Sequence, residues 1–79
     1  MFDLLISRLQ DFAADNNLIL EFAATENELA YTIQDTYRAW GYGRVVSRAQ
    51  YEMYAGDRTY LVEYEISRLR RRLRESRLI

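Results

Sequence analysis

Residues 18–33 read Leu18-Ile-Leu-Glu-Phe-Ala-Ala-Thr-Glu-Asn-Glu-Leu-Ala-Tyr-Thr-Ile33, and the conformation of this stretch decides the fold. Two periodicities compete in it. Thr25, with Glu28 three residues later, has the form of a capping box, in which the hydroxyl and the carboxylate satisfy the first free N–H groups of a helix. After it, Leu29, Ile33, Tyr37 and Trp40 recur at spacings of four, four and three, an amphipathic helical stripe over about 26–40. Against this, Leu29, Tyr31 and Ile33 alternate opposite Leu18, Leu20 and Phe22, the pattern of a hairpin. The continuation of the stripe to Trp40 favours the helix. The expected fold is therefore all-α, a small bundle of three to four helices with a long C-terminal helix. The alternative is α+β, with a hairpin at about 18–34 between terminal helices.

The flanking segments fit either architecture. Phe2, Leu5, Leu9 and Phe12 step by three and four, predicting a helix over 2–14 that Asn16 and Asn17 would stop. Gly41-Tyr42-Gly43 reads as a breaker and a turn. Val45, Val46, Ala49 and Met53 suggest a short helix over 44–55, which Gly56 and Asp57 would end. The clearest element is 58–77, where Val62, Ile66, Leu69, Leu73 and Ser76 form a heptad seam.

The chain has 79 residues, enough for one domain over 1–79 and for only a modest core. It contains no Cys and no His, and all 11 of its cations are Arg. Disulfides and the usual zinc sites are thereby excluded, and no cofactor motif is present. Small domains without such staples often rely on self-association. Catalysis is not expected. Imidazole, thiol and amine are absent, so Ser7, Ser47, Ser67 and Ser76 have no activating base. The carboxylate pairs Glu26/Glu28 and Glu63/Glu65 are two residues apart, and on a helix their members would diverge into solvent.

Charge is unevenly distributed. Residues 1–37 carry seven acids against one Arg, whereas residues 38–79 carry ten Arg against five acids. Arg68, Arg70, Arg71, Arg72, Arg74 and Arg77 form a basic patch on the last helix, suited to an acidic protein surface or to nucleic-acid phosphates. Tyr and Arg, the types enriched at interface hot spots, interleave between residues 31 and 64. Tyr42, Arg48, Tyr51, Tyr54 and Arg58 are the candidate protein-interface residues, with Tyr51 and Tyr54 three apart on one helix face. A helix-turn-helix over 26–55, presenting Arg44, Arg48 and Gln50, is a further reading.

The expectation is a non-enzymatic protein–protein interaction or assembly module, self-associating or docking on a larger complex. Its alternative is a nucleic-acid binder that uses the Arg-rich helix. No membrane partner is expected, since no apolar run is long enough to span a bilayer. The acidic opening Met1-Phe2-Asp3 is unlike a signal peptide, so a location in the cytoplasm or within a virus particle is expected. Short, free of lysine and rich in Tyr and Arg, the chain resembles in style a small viral accessory or structural protein.

Overall fold

The computed structural model describes residues 2–37, 39–53 and 58–76. The elements in order are α1 (Asp3–Asp15), β1 (Leu18–Ala24), β2 (Glu28–Asp35), β3 (Gly41–Ser47), α2 (Arg48–Met53) and α3 (Arg58–Glu75). The strands form one antiparallel sheet in the order β1-β2-β3. The fold is α+β, which corrects the all-α expectation, and a helical bundle does not describe the molecule. The hairpin alternative fits, and a third strand joins it where a turn and the start of a helix were expected.

The reason lies in residues 25–35. Thr25 does accept from backbone N–H groups, those of Asn27 and Glu28, each at 3.2 Å. Its own N–H donates to the Glu28 carbonyl at 2.9 Å, so the cap closes a hairpin turn and starts no helix. The local hydrogen bonds of a cap and of a tight turn are alike, and the partners of the next residues decide between them. Here Leu29, Tyr31, Ile33 and Asp35 are buried in alternation, and β2 is paired on both sides. A central strand satisfies its whole backbone through two neighbours, and Tyr, Thr and Ile suit that setting. The helical stripe fails at Tyr37, which is 90% exposed.

β3 runs straight through Gly41 and Gly43, which lie opposite Gln34 and Thr32. The helix expected over 44–55 shrinks to α2. Its start is set by a reciprocal cap: the Gln50 N–H donates to Ser47 Oγ and the Ser47 N–H donates to Gln50 Oε1, both at 3.1 Å. At the other end of the molecule, Asn17 at φ 55° takes the left-handed turn that ends α1, in keeping with its expected role as a stop residue.

The helices cover one face of the sheet. Leu5, Leu9, Phe12 and Ala13 of α1 meet Leu61, Val62, Ile66, Leu69 and Leu73 of α3 over Leu29, Tyr31, Ile33 and Val46. The two helical stripes defined by residue spacing are therefore the core stripes. Phe2 and Tyr51 close one end, with their rings edge to face at 5.0 Å between centroids. Among the described residues, no element covers the opposite face of the sheet, where Val45 is 53% exposed.

Candidate interaction surfaces

Within the core lies a charge expected in solvent. Glu65 of α3 is fully buried beneath the sheet. Its Oε1 accepts from Arg44 Nε at 2.6 Å and its Oε2 accepts from the Tyr31 hydroxyl at 2.9 Å. Tyr31 and Arg44 are register partners on β2 and β3, so their side chains emerge side by side towards the helix. Burial above all, reinforced by the adjacent Glu65 carboxylate, pushes the Tyr31 hydroxyl far above its usual range. For Arg44, burial works against the charge, but attraction to Glu65 and the hydrogen bond outweigh it and hold the guanidinium protonated. Both carboxylate oxygens are occupied, and the group is sealed from solvent. The cluster ties α3 to two strands of the sheet. Its signal is present in the sequence: Leu61, Glu65 and Leu69 are four apart, on a row beside the heptad seam. Glu63, by contrast, is exposed as expected and pairs with Arg8 at 2.7 Å.

The candidate interface residues whose side chains are described, Tyr42, Arg48 and Tyr51, differ in exposure. Tyr51 is 1% exposed and belongs to the core, because α2 turns that ring inward against Phe2. Tyr42 is half-buried on the helix side of β3, with the Arg72 guanidinium 5.3 Å from its ring centroid. Arg48 is exposed and pairs along α2 with Glu52 at 2.8 Å. Tyr54 lies outside the described residues, as does Arg77, and Arg58 begins α3. The helix-turn-helix reading is lost, since its first helix is β2 and Arg44 is a strand residue engaged with Glu65.

Five of the six basic-patch residues lie within α3. Arg70, Arg71, Arg72 and Arg74 are exposed and Arg68 is partly so. None of these five makes an ion pair among the described residues. A depression of about 620 Å³ runs along Tyr64, Ser67, Arg68, Arg71, Arg72 and Glu75. All of these belong to α3, so it is the outer face of one helix and lacks converging groups from elsewhere.

The feature that sequence reasoning missed is the outer edge of the sheet at β1, which no other strand pairs among the described residues. Its hydrogen-bonding phase can be worked out from the bond at the hairpin turn. Because the Thr25 N–H donates to the Glu28 carbonyl, the pairs Ala23–Ala30, Glu21–Thr32 and Ile19–Gln34 exchange hydrogen bonds. The alternate residues Leu18, Leu20, Phe22 and Ala24 then aim their N–H and C=O groups outward, away from β2. The second hairpin gives the same phase independently: Asp35 donates to Trp40, and Arg48 donates to Asn27. The four outward-aimed residues have apolar side chains on the helix side of the sheet. Phe22 among them is 44% exposed.

An exposed edge strand is a template for another strand, and proteins usually blunt it with Pro, Lys, a bulge or an inward-pointing charge. β1 has none of these: the chain contains no Pro and no Lys, and the β1–β2 register is unbroken over seven residues. Its one charge, Glu21, points to the open face. The other edge differs in two respects. β3 carries Arg44 inward at its middle, and its last outward N–H, that of Ser47, is capped by Gln50.

On the open face, the small residues Ala23, Ala30 and Gly43 leave a shallow depression of about 520 Å³ rimmed by Glu21, Thr32 and Val45. Among the described residues, no three His, Cys, Asp or Glu side chains gather into a cation site. No helix among them is long and apolar enough to cross a membrane. No known protein family, curated protein or solved structure matches this chain.

Proposed function

We propose that this chain is a non-enzymatic binding and assembly module, and that it takes a partner's strand onto the free edge of β1. One observation carries the reading: a seven-residue edge strand, apolar except for Glu21, with a row of outward N–H and C=O groups, no Pro, Lys or bulge, and no second strand paired to that edge among the described residues. Strand addition supplies main-chain hydrogen bonds for affinity and side-chain pockets for selectivity. The lack of His, Cys and Lys, and a buried Glu65 with both oxygens engaged, support a role without catalysis.

The outward phase of Ala24 supplies the test. Its N–H does not serve the β1–β2 ladder, so Ala24→Pro removes an edge donor while leaving the hairpin bonds intact, the setting in which strand Pro is tolerated. The chain and this variant are compared by size-exclusion chromatography with light scattering, over a range of concentrations and with candidate partner proteins. Species larger than the monomer should form with the parent chain and be lost in the variant, with circular dichroism unchanged. Complexes equally strong in Ala24→Pro would place the interface elsewhere.

A second reading, nucleic-acid binding, has its own support in the exposed Arg70, Arg71 and Arg74 on one helix, which make no ion pair among the described residues. It requires a gel shift that weakens as salt rises, with a slope that shrinks when these three become Gln. Absence of a shift at about 50 mM salt removes it.

A further inference from the structure

We infer that the strand added to β1 is β1 of a second copy, paired antiparallel about a two-fold axis through Phe22, giving a continuous six-stranded sheet. This inference rests on the strand-addition reading and names its partner.

An antiparallel edge is self-complementary under a two-fold axis, so residue i of one copy meets residue j of the other and the reverse. The hydrogen-bonding phase of β1 restricts the registers, because outward groups must meet outward groups. An axis that keeps at least five of the seven strand residues paired then passes through Leu20, Glu21 or Phe22. A Glu21 axis sets two carboxylates directly opposite each other, which is destabilising. Burial separates the remaining two. Leu18 and Leu20 are already half-buried beside α1, whereas Phe22 and Ala24 are exposed on the same side of the strand. A Leu20 axis would bring the helix-covered halves of the two strands together. A Phe22 axis pairs residues 20–24, the uncovered half, and keeps the two α1 helices apart.

That register also accounts for an exposed side chain. Phe22 is a large apolar residue on the helix side of the sheet that its own chain leaves 44% exposed. In the pair, the two Phe22 rings lie opposite one another, and Glu21 faces Ala23 of the second copy on the open side. The pairing is short, five residues from each copy, so the dimer should be weak and its population should rise with concentration.

The chain has no Cys, so one introduced thiol can form only an intermolecular disulfide. At a hydrogen-bonded antiparallel pair the Cα atoms are about 5.5 Å apart, within disulfide reach. Under mild oxidation Phe22→Cys should cross-link into a dimer and Leu20→Cys should not. The unsubstituted chain gives an independent readout by amide exchange across a concentration series. The amides of Leu20, Phe22 and Ala24 should become at least about tenfold slower in the dimer, while Leu18 stays fast. Cross-linking through Leu20→Cys, or protection of Leu18 in place of Ala24, would assign the other axis and overturn the proposal. A strict monomer at millimolar concentration, with neither variant cross-linking, would also overturn it. The strand-addition reading would survive that outcome if a different protein formed a complex sensitive to Ala24→Pro, and would fall with it if none did.

Discussion

Arg44→Met should be among the most damaging single substitutions in this chain. The substitution keeps a long, unbranched side chain at β3 and removes only the charge and the donors. What it leaves behind is Glu65, fully buried, with one carboxylate oxygen bonded to Tyr31 and the other unpaired. Taking an ion out of water costs several kcal/mol even after the protein relaxes, and breaking a buried pair at one end typically costs about 3–5 kcal/mol. A domain of this length has about 4–12 kcal/mol of stability in total. The variant should therefore lose at least about a quarter of that stability, and more if the chain sits at the low end of the range. Replacing the whole cluster behaves differently. Tyr31→Phe, Arg44→Met and Glu65→Leu together remove every polar group and leave an apolar plug of similar volume, for which the expected change is neutral to stabilising by about 1–4 kcal/mol. Urea unfolding followed by circular dichroism measures both, through the midpoint at constant slope. A loss below about 1 kcal/mol in Arg44→Met, the range of exposed pairs, would refute the claim that this charge is sealed in the core. So would a triple variant no more stable than the single one.

Two further outcomes are expected of the same core. Burial, with Glu65 beside it, raises the Tyr31 hydroxyl above its unfolded value of about 10. Its contribution to stability is thus complete below about pH 10 and is lost as pH rises from there towards the folded value. The thermal midpoint should fall above pH 10, and fall less steeply in Tyr31→Phe; identical slopes would show that Tyr31 is not protected. Tyr51→Ala should cost about 3–5 kcal/mol in denaturant unfolding, because it empties a core site against Phe2. A loss of binding with stability unchanged would return Tyr51 to the surface.

Much of the helical framework was legible in the sequence. Phe2, Leu5, Leu9 and Phe12, and again Val62, Ile66, Leu69 and Leu73, are buried along the lines their spacing defined. A helix face needs only its own periodicity to be recognised, since its backbone bonds are local. The lack of reactive side chain types could likewise be read directly.

The middle of the chain could not be read in this way. Thr25 and Glu28 make turn bonds that differ little from those of a helix cap, and Leu29, Ile33, Tyr37 and Trp40 fit a helical stripe by coincidence of spacing. Pairing with β1 and β3 decided the matter, and a pairing partner is distant information that no window of sequence contains. The same applies to Glu65. Its neighbours along the chain mark a polar helix face, while its actual neighbours, Tyr31 and Arg44, arrive from strands 34 and 21 residues away. The free edge of β1 is likewise a product of the tertiary structure, because a strand is an edge only once the sheet has an order. Short-range hydrogen bonds and periodicity thus determined the two core helices. The sheet, the buried charge and the open edge were settled by contacts between residues far apart in the chain, whose energies depend on where the whole fold places them.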